Sequence, residues 1–366
     1  MMPTGPMLKP AVTLTDIRDA SARIRPLAAV TPLVDVADAA VRPPRSRPLF
    51  LKCENLQRSG AFKIRGAANT LLQLPPEDRA RGVITYSSGN HGIAMSLTAR
   101  LLGVPAVVVM PTTAPAAKAE RVRRLGAEVI HEGTTTVQRQ ARAEDEADRR
   151  GLTIVPPFDH PWVIAGQGTI GLEILEQCPG VAAVFVPCSG GGLIAGIATA
   201  IRDLAPSVRI VGVEPSGAPK MTRSLQAGAP VTLDRAASIA DGLMAVRPGT
   251  LTFPIIQALV DEVVTVGDEA IATAVRWVFE HGKMVTEPSG AAAIAAVLSS
   301  APASWSRDNR SAGREDGGPI VAVVSGGNVD AEAFAGYVTG RGRAPARTLG
   351  RETGVASTSS GSARGG

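Results

Sequence analysis

Short runs of β-branched and aliphatic residues alternate with longer stretches of helical periodicity from about Pro48 onward. Near-continuous apolar strands separated by helices are typical of a parallel sheet that is covered on both faces. The pattern therefore predicts an α/β fold. The predicted strands are Leu49–Cys53, Val83–Tyr86, Ala106–Met110, Glu128–His131, Thr153–Val155, Ala182–Val186, Arg209–Glu214, Glu262–Val266 and Ile320–Val324. The predicted helices are Phe62–Leu74, His91–Leu102, Ala116–Leu125, Val137–Arg149, Val163–Gln177, Leu193–Leu204 and Glu269–His281.

The two ends of the chain lack this pattern. Residues 1–12 are polar and rich in proline, and residues 339–366 are rich in Gly, Ser, Thr and Arg. Segments of this composition cannot bury enough apolar surface to fold, so we expect both ends to be disordered. The polar stretch Ala301–Gly318 is predicted to be a surface loop.

Composition and charge restrict the class of protein. Hydrophobic residues make up 45% of the chain, charged residues 19% and aromatic residues 3%, as in a globular protein. The formal net charge is +5, but the segment from Arg341 to Gly366 contains five arginines and one glutamate and so accounts for four of these charges. A basic tail, with few aromatic side chains to stack on bases, is poor evidence for a nucleic-acid surface.

Cysteine and histidine usage argues against a disulfide framework and against a zinc site. Three scattered cysteines leave one unpaired, and the four histidines show no metal-ligand spacing. These residues are Cys53, Cys178, Cys188, His91, His131, His160 and His281. The N-terminal residues contain no apolar core of signal-peptide length, and no apolar run is long enough to span a bilayer. We therefore expect a cytoplasmic protein.

Three turns rich in Gly and Ser follow predicted strands, where ligands bind in open α/β sheets. They are Ser87–Gly92, Ser189–Leu193 and Ser325–Asn328. Glycine lets the backbone approach an anion closely, and the N–H groups at the start of a helix point at it. One such turn is commonly only a tight turn. Three at strand ends together indicate a ligand site that binds anionic groups.

The second turn also fits a different class of enzyme. Gly190, Gly192 and Ala195 match the spacing of a dinucleotide fingerprint, and Glu214 ends the next predicted strand, where a ribose-binding acid lies. A nicotinamide-dependent oxidoreductase is therefore an alternative. It leaves the other two turns and the region of Lys63 unexplained.

The segment Lys52–Ala67, which reads KCENLQRSGAFKIRGA, resembles the cofactor-binding lysine motif of a known family. This is the threonine/serine dehydratase and serine racemase family, a fold-type II group of pyridoxal 5′-phosphate (PLP) enzymes related to the tryptophan synthase β subunit. The resemblance covers Leu14–Val338. It includes Ser87–Gly92, Val163–Thr169, Ser189–Leu193, Ile239–Gly242, Glu287-Pro288 and Ser325–Asp330.

The resemblance implies two doubly wound α/β domains with the cofactor in the cleft between them. Residues 53–158 would form the small domain, and residues 13–52 and 159–338 the large PLP domain. A homodimer is expected on the same ground, with a small amino acid as substrate.

The resemblance also assigns residues to the cofactor. Lys63 would form the Schiff base with PLP and then act as general base on the substrate. Asn90 would bind the ring hydroxyl, Phe62 would pack on the ring, and Ser325 would face the pyridine nitrogen, with Gly242 and Glu287 nearby. The phosphate would be bound by Ser189, Gly190, Gly191, Gly192 and Leu193 at a helix N-terminus.

The first turn is implied to bind the substrate carboxylate through backbone N–H groups and the Ser87 hydroxyl. Its residues are Ser87, Ser88, Gly89, Asn90 and His91. Ser88 occupies the position where racemases carry a second catalytic base, so racemisation and a purely binding role for Ser88 both stay open.

Two positions depart from the family pattern. Ala61 stands where a serine is usual, which removes one polar contact near the cofactor. Family members that bind a divalent cation use an acid at the position of Glu214, the carbonyl at Ala218 and an aspartate at the position of Lys220. An ammonium would repel a cation there. We therefore predict no metal site and an ion pair between Lys220 and Glu214.

The implied activity is a dehydratase, or ammonia-lyase, that converts a small β-hydroxy amino acid such as L-threonine or L-serine to a 2-oxo acid and ammonia. An amino-acid racemase, a non-catalytic PLP-binding protein, and a dehydratase for 3-hydroxyaspartate, phenylserine or hydroxyectoine-derived acids are alternatives. The part of the pocket that faces the substrate side chain is expected near Phe158–Trp162 and Asp241–Met244. In this part, His160 is one candidate for binding an acidic group of the substrate.

Overall fold

The computed structural model describes residues 11–36, 47–87, 89–114, 116–299 and 318–341, and the backbone of residues 347–350. Short 3-10 helices lie at Glu54–Leu56 and Asp241–Leu243. The strands are β1 (Leu33–Asp35), β2 (Leu49–Lys52), β3 (Val83–Thr85), β4 (Ala106–Met110), β5 (Glu128–His131), β6 (Thr153–Ile154), β7 (Ala183–Pro187), β8 (Arg209–Pro215), β9 (Arg235–Ser238), β10 (Glu262–Val266), β11 (Ile320–Val323) and β12 (Arg347–Gly350). The helices are α1 (Leu14–Ile24), α2 (Lys63–Leu71), α3 (Pro76–Arg81), α4 (Asn90–Leu102), α5 (Ala116–Arg124), α6 (Thr136–Arg150), α7 (Pro161–Gln177), α8 (Gly192–Leu204), α9 (Lys220–Ala227), α10 (Thr252–Leu259), α11 (Asp268–Gly282), α12 (Pro288–Ser299) and α13 (Ala331–Thr339).

The larger of the two main sheets has six strands in the order β1-β2-β11-β7-β8-β10, and it is parallel except where β1 meets β2. Side chains alternate between its faces. Val184 and Val186 pack toward α1, α7, α8 and α10, whereas Ala183 and Phe185 pack toward α11 and α12. Helices therefore cover both faces, as the apolar strands predict.

The smaller sheet is parallel throughout, with the strand order β5-β4-β3-β6. Val108 and Met110 face a cluster that includes residues of α4 and α5, while Val107 and Val109 face α6. The α/β fold with parallel sheets is confirmed. We propose that each sheet, together with its helices, corresponds to one of the two domains expected from the sequence.

The segments expected to be disordered are partly ordered. Val12 is 2% exposed and packs with Ile17 in one core, because Thr13 and Asp16 form a capping box that fixes how the chain enters α1. Residues 347–350 form β12, which pairs antiparallel with β9, so this part of the tail is not disordered. Residues 1–10, 301–317 and 351–366 lie outside the described residues.

A buried group of four charged side chains connects β2, α2 and α7. Arg65 donates to both carboxylate oxygens of Glu54 at 2.8 Å, and it also contacts Glu173 at 2.6 Å. The Lys52 ammonium lies 2.5 Å from Glu173. Burial acts against the charge of Glu54, but Arg65 outweighs it and holds the pKa of Glu54 below its ordinary value. Removing one member of such a group costs about 3–5 kcal/mol, since its partner stays buried and unpaired.

Among the described residues, no helix is both long enough and apolar enough to cross a membrane.

Candidate active site

Lys63 begins α2, and its amine lies between the ends of the two sheets. Its Nζ atom donates to the Pro157 carbonyl at 2.6 Å and lies 5.0 Å from the centre of the Phe62 ring. No acid contributes to its titration, and burial lowers the pKa of Lys63 to about 8. A larger share of this amine is therefore neutral near pH 7 than for an ordinary lysine, as a nucleophile or base requires.

The start of α2 is fixed against the third glycine turn. The Phe62 N–H donates to the Ser325 carbonyl at 3.1 Å, and Ala61 forms an isolated antiparallel bridge with Gly326. The Ser325 side chain is 4% exposed, and its hydroxyl donates to the Ser289 carbonyl at 3.4 Å. The segment that carries Lys63 is thus hydrogen-bonded to the segment that carries Ser325, the serine predicted to face the pyridine nitrogen.

The second glycine turn forms the start of α8. Gly191 is the N-cap of α8 and has φ +104°, a backbone conformation that residues with a side chain rarely adopt. No side chain caps this end of the helix. The Gly190 carbonyl accepts from the Thr252 hydroxyl at 2.6 Å and from the Gly249 N–H at 3.1 Å. The Gly190 carbonyl therefore points toward the protein interior. The first N–H groups of a helix have no partner inside it, so those of this turn are available to a phosphate.

Side chains added to this turn would collide with its surroundings. A Cβ atom on Gly190 would meet the Phe158 ring, and one on Gly191 would lie 2.7 Å from Ile256. Ser189 adds a hydroxyl that accepts from the Ala245 N–H at 3.4 Å and keeps its own hydrogen for a further acceptor. Leu193, the fifth residue of the predicted phosphate site, lies in the first turn of α8.

The first turn leads from β3 into α4, whose N-cap is Gly89. Gly92 must be glycine, because a Cβ atom there would collide with the Ser87 carbonyl. The His91 ring is 1% exposed; its Nε2 atom lies 3.0 Å from the Val155 carbonyl oxygen, and its Nδ1 atom is buried without a hydrogen-bond partner among the described residues. Burial is the larger cause and the nearby charge of Lys63 the smaller one; together they lower the pKa of His91 to about 3. Ser88 lies outside the described residues.

Asn90 belongs to a chain of polar contacts across the cleft. Its Nδ2 donates to Glu287 at 2.5 Å, and its Oδ1 accepts from Asn328 at 2.8 Å. Asn328 also receives a hydrogen bond from Arg121 at 2.8 Å. Burial, and to a smaller extent repulsion by the Asp241 carboxylate, raises the pKa of Glu287 to about 8. This carboxyl is therefore mostly protonated at neutral pH. Gly242 follows Asp241 and donates its N–H to the Ser289 hydroxyl at 2.8 Å.

Lys220 and Glu214 form the ion pair that the sequence predicts. Lys220 Nζ lies 3.3 Å from Glu214 Oε2, and both side chains are fully buried. Lys220 also donates to the carbonyls of Cys188 and Leu243, each at 3.0 Å. Glu214 accepts from the backbone N–H groups that open α9. Its oxygens are thus occupied, so it cannot bind a ribose as the dinucleotide alternative requires.

Several contacts of the site were not predicted from the sequence. Pro157 and Phe158 contact Lys63 and the glycine turn, and Asn328 bridges the cleft. Lys118 forms a 2.9 Å ion pair with Asp241. His160, the candidate reader of an acidic group, instead caps α7 by accepting from the Trp162 N–H at 3.2 Å. Phe158, Asp241 and Asn328 belong to segments that the sequence analysis singled out, whereas Pro157 and Lys118 had no such signal.

These groups fit pyridoxal phosphate. The amine of Lys63 can bind its aldehyde carbon, the turn at Gly190–Leu193 can bind its phosphate, and Ser325 and Asn90 supply neutral polar contacts for its ring. A family model described as "Pyridoxal-phosphate dependent enzyme" matches residues 24–326. The chain belongs to this family. The nicotinamide-dependent alternative is therefore wrong, and the cofactor is PLP.

Relatives of known name agree with the family assignment. An L-threonine ammonia-lyase from Geobacter sulfurreducens is 47% identical over 287 residues, which are 78% of this chain and 69% of the relative. The structure of maize serine racemase superimposes with a TM-score of 0.81 at 38% identity, covering 90% of this chain and 98% of that one. A PLP-dependent aspartate racemase gives a TM-score of 0.79 at 34% identity, covering 90% and 99%. This chain has the fold-type II architecture.

Proposed function

We propose that this enzyme is an ammonia-lyase that dehydrates a small β-hydroxy amino acid to a 2-oxo acid and ammonia. The observation that carries the proposal is the Lys63 amine: burial lowers its pKa to about 8, and it begins the helix whose start is hydrogen-bonded to the third glycine turn. The similarity to an L-threonine ammonia-lyase over 78% of the chain supports the same reaction.

Lys63 would hold the cofactor and then serve as the base for the substrate. When bound, the cofactor withdraws the negative charge that develops on the substrate's Cα. The free amine of Lys63 would take the Cα proton. Because its pKa is lowered to about 8, it lies close to the pH range in which a general base is most effective.

The turn from Ser87 to His91 would hold the substrate carboxylate at the N-terminus of α4. Backbone N–H groups and the helix dipole favour an anion there, so no arginine is needed for this carboxylate. Asn90 would face the cofactor ring, with its orientation fixed by Glu287 and Asn328.

Ser325 would favour elimination over reactions that need a long-lived carbanion. A hydroxyl beside the pyridine nitrogen leaves that nitrogen neutral, whereas a carboxylate would keep it protonated and electron-withdrawing. Loss of the β-hydroxyl as the Cα proton departs avoids a full negative charge on Cα. The enamine that is released then takes up water and loses ammonia.

Racemisation is the second candidate activity. It is favoured by the similarity to maize serine racemase and by the serine at position 88, where racemases of the family carry a second base. Chiral analysis of unreacted substrate would detect it, and Ser88→Ala would abolish racemisation while sparing elimination.

The test is an absorption spectrum of the purified protein, followed by an assay for 2-oxo acid with L-threonine, L-serine and 3-hydroxyaspartate. We expect a visible cofactor band that disappears in Lys63→Ala together with the activity. Lys283→Ala, which changes an exposed lysine at the end of α11, is the matched control and should keep both. A wild-type protein with the band but without oxo acid or racemised product would overturn the proposal.

A further inference from the structure

Asp159 is an acidic residue beside the candidate active site that the proposed reaction does not use. It lies in the loop of residues 155–160, between β6 and α7. Its two carboxylate oxygens accept from three successive backbone N–H groups. Oδ2 accepts from Thr250 at 2.8 Å, and Oδ1 accepts from Leu251 at 2.9 Å and from Thr252 at 3.3 Å. A carboxylate bound in this way caps a helix from outside it, so Asp159 fixes the first turn of α10.

Glycine at position 249 makes room for the Asp159 carboxylate. A Cβ atom on Gly249 would collide with Asp159 Oδ1 and would lie 2.7 Å from the Thr252 hydroxyl oxygen. The Gly249 carbonyl accepts from the Phe253 N–H at 3.1 Å, which joins this glycine to the first turn of α10. The N-terminus of a helix favours an anion, and here the Asp159 carboxylate is that anion.

The start of α10 in turn holds the glycine turn proposed to bind the cofactor phosphate. Thr252 is fully buried, and its hydroxyl donates to the Gly190 carbonyl at 2.6 Å. The Gly249 N–H donates to the same carbonyl at 3.1 Å. Both donors belong to the segment that Asp159 caps. Because its carbonyl is bound on this side, Gly190 is held in one orientation, which keeps the N–H groups of the turn available to an anion.

The loop that carries Asp159 also reaches the other end of the cofactor site. The Pro157 carbonyl accepts from Lys63 Nζ at 2.6 Å, and the Phe158 ring lies where a Cβ atom on Gly190 would be. Three successive residues therefore contact the lysine, the glycine turn and the helix that holds this turn. The spacing between the amine proposed to bind the aldehyde and the N–H groups proposed to bind the phosphate thus depends on one short segment.

We propose that Asp159 is a positioning residue for the cofactor phosphate: it holds α10 so that Thr252 and Gly249 orient the turn at Gly190. This rests on the part of the proposed function that places the phosphate at this turn, and it does not depend on which amino acid is the substrate. Asp159 acts through the backbone, because its oxygens are occupied by three N–H groups. Its removal should loosen the turn and weaken phosphate binding, whereas direct repulsion between two anions would have the opposite effect.

The first experiment titrates cofactor-free enzyme with PLP and with pyridoxal, which has the ring and the aldehyde but no phosphate, and follows the visible band. We expect Asp159→Ala to raise the Kd for PLP by roughly 3- to 30-fold, as for loss of a helix cap, and to leave the Kd for pyridoxal nearly unchanged. Asp159→Asn keeps one acceptor oxygen and should lose less affinity. The ratio of the two Kd values removes general effects of folding. Asp16→Ala, which removes the carboxylate of the capping box of α1, is the matched control and should not change this ratio.

The second experiment tests whether Asp159 acts through Thr252. Thr252→Val removes the hydroxyl that holds Gly190 and should also raise the Kd for PLP. Because both residues act on one turn, the double variant should lose less affinity than the product of the two single losses. Losses that multiply, an unchanged or lower Kd for PLP in Asp159→Ala, or equal losses for PLP and pyridoxal would each overturn the proposal. Absence of any 2-oxo acid would refute the lyase function, and the ratio of Kd values would still decide the role of Asp159.

Discussion

At the scale of single residues, the titration of Lys63 gives a prediction for cofactor uptake. Burial disfavours the ammonium, so the neutral amine that attacks PLP prevails above about pH 8 rather than above the ordinary lysine value of 10.5. The rate at which cofactor-free enzyme regains its visible band should therefore rise with pH through about 8 and then level off. Stopped-flow absorbance at a series of pH values measures this. A rise centred near 10.5 would show that the amine is not perturbed.

The Lys220–Glu214 pair predicts independence from divalent cations. Because an ammonium occupies this acidic site, adding Mg²⁺ or Ca²⁺, or removing metals with EDTA, should leave the activity unchanged. Lys220→Met should lower the free energy of unfolding by about 3–5 kcal/mol, since Glu214 would stay buried without its partner. Chemical denaturation measures this loss. Arg124→Met, which breaks the exposed pair with Glu120, is the control and should change stability little. Clear activation by Mg²⁺ would contradict the prediction.

Sequence reasoning identified residues at this scale where a local motif surrounds them. Lys63, Asn90 and Ser325 were assigned by motifs that resemble those of the family, and the Lys220–Glu214 pair was predicted from a departure from the family's metal site. Arg139 in α6 is 8% exposed and had no such signal, because a helical arginine is ordinarily exposed. Its burial depends on the packing of α6 against β3, which joins residues distant along the chain.

At the scale of elements, the start of α8 depends on glycine. Gly191→Ala would place a methyl group at φ +104°, 2.7 Å from Ile256 and 2.8 Å from Thr252. Strain of this kind costs about 1–3 kcal/mol, and a shift of the turn would move N–H groups away from the phosphate. We expect the Kd for PLP to rise by roughly 10-fold or more. Equilibrium titration of the visible band measures it.

Gly228 supplies the matched control for Gly191. It also has a positive φ, +69°, at the end of α9, but nothing lies within 4 Å of a Cβ atom built there. Gly228→Ala should lower stability without changing the Kd for PLP. Equal effects of the two substitutions on PLP binding would show that the turn at Gly191 does not hold the phosphate.

The elements of the repeating strand and helix pattern were predicted well, and several other elements were missed. Each strand and helix read from the sequence is present, with ends shifted by at most three residues. The helices α1, α3, α9, α10 and α12 were not predicted. The residues of α12 are buried on nearly every side and show no amphipathic period. The short strands β1, β9 and β12 are set by their pairing partners, which one sequence does not reveal.

At the scale of the whole molecule, contacts from α5 join the two sheets across the cleft. Lys118 pairs with Asp241, and both side chains are about one-third exposed. A double-mutant cycle with Lys118→Met and Asp241→Asn should give a coupling energy of about 0.5 kcal/mol that weakens at high salt. The same variants should raise KM more than they lower kcat, because the contact joins α5 to the segment expected to line the substrate pocket and includes none of the residues proposed to do the chemistry. A coupling that is insensitive to salt would exclude this exposed pair as its source.

The overall architecture was predictable because parallel strands, crossover helices and glycine turns repeat along most of the chain. The division into two sheets was implied by the family resemblance rather than by periodicity. Contacts across the cleft depend on how those two bodies meet. No local pattern encodes that, so the contacts that Arg121, Asn328 and Lys118 make became visible only in the folded chain.

The buried group formed by Lys52, Glu54, Arg65 and Glu173 has a consequence for how the enzyme responds to heat. The free energy needed to remove charges from water falls as temperature rises, whereas apolar burial gains little more. The attachment of α2 to β2 and α7 should therefore weaken less on warming than the purely apolar contacts around it. Lys63, the first residue of α2, should therefore lie in a part of the enzyme that stays folded close to the melting temperature. Loss of activity on heating should begin at the periphery of the fold.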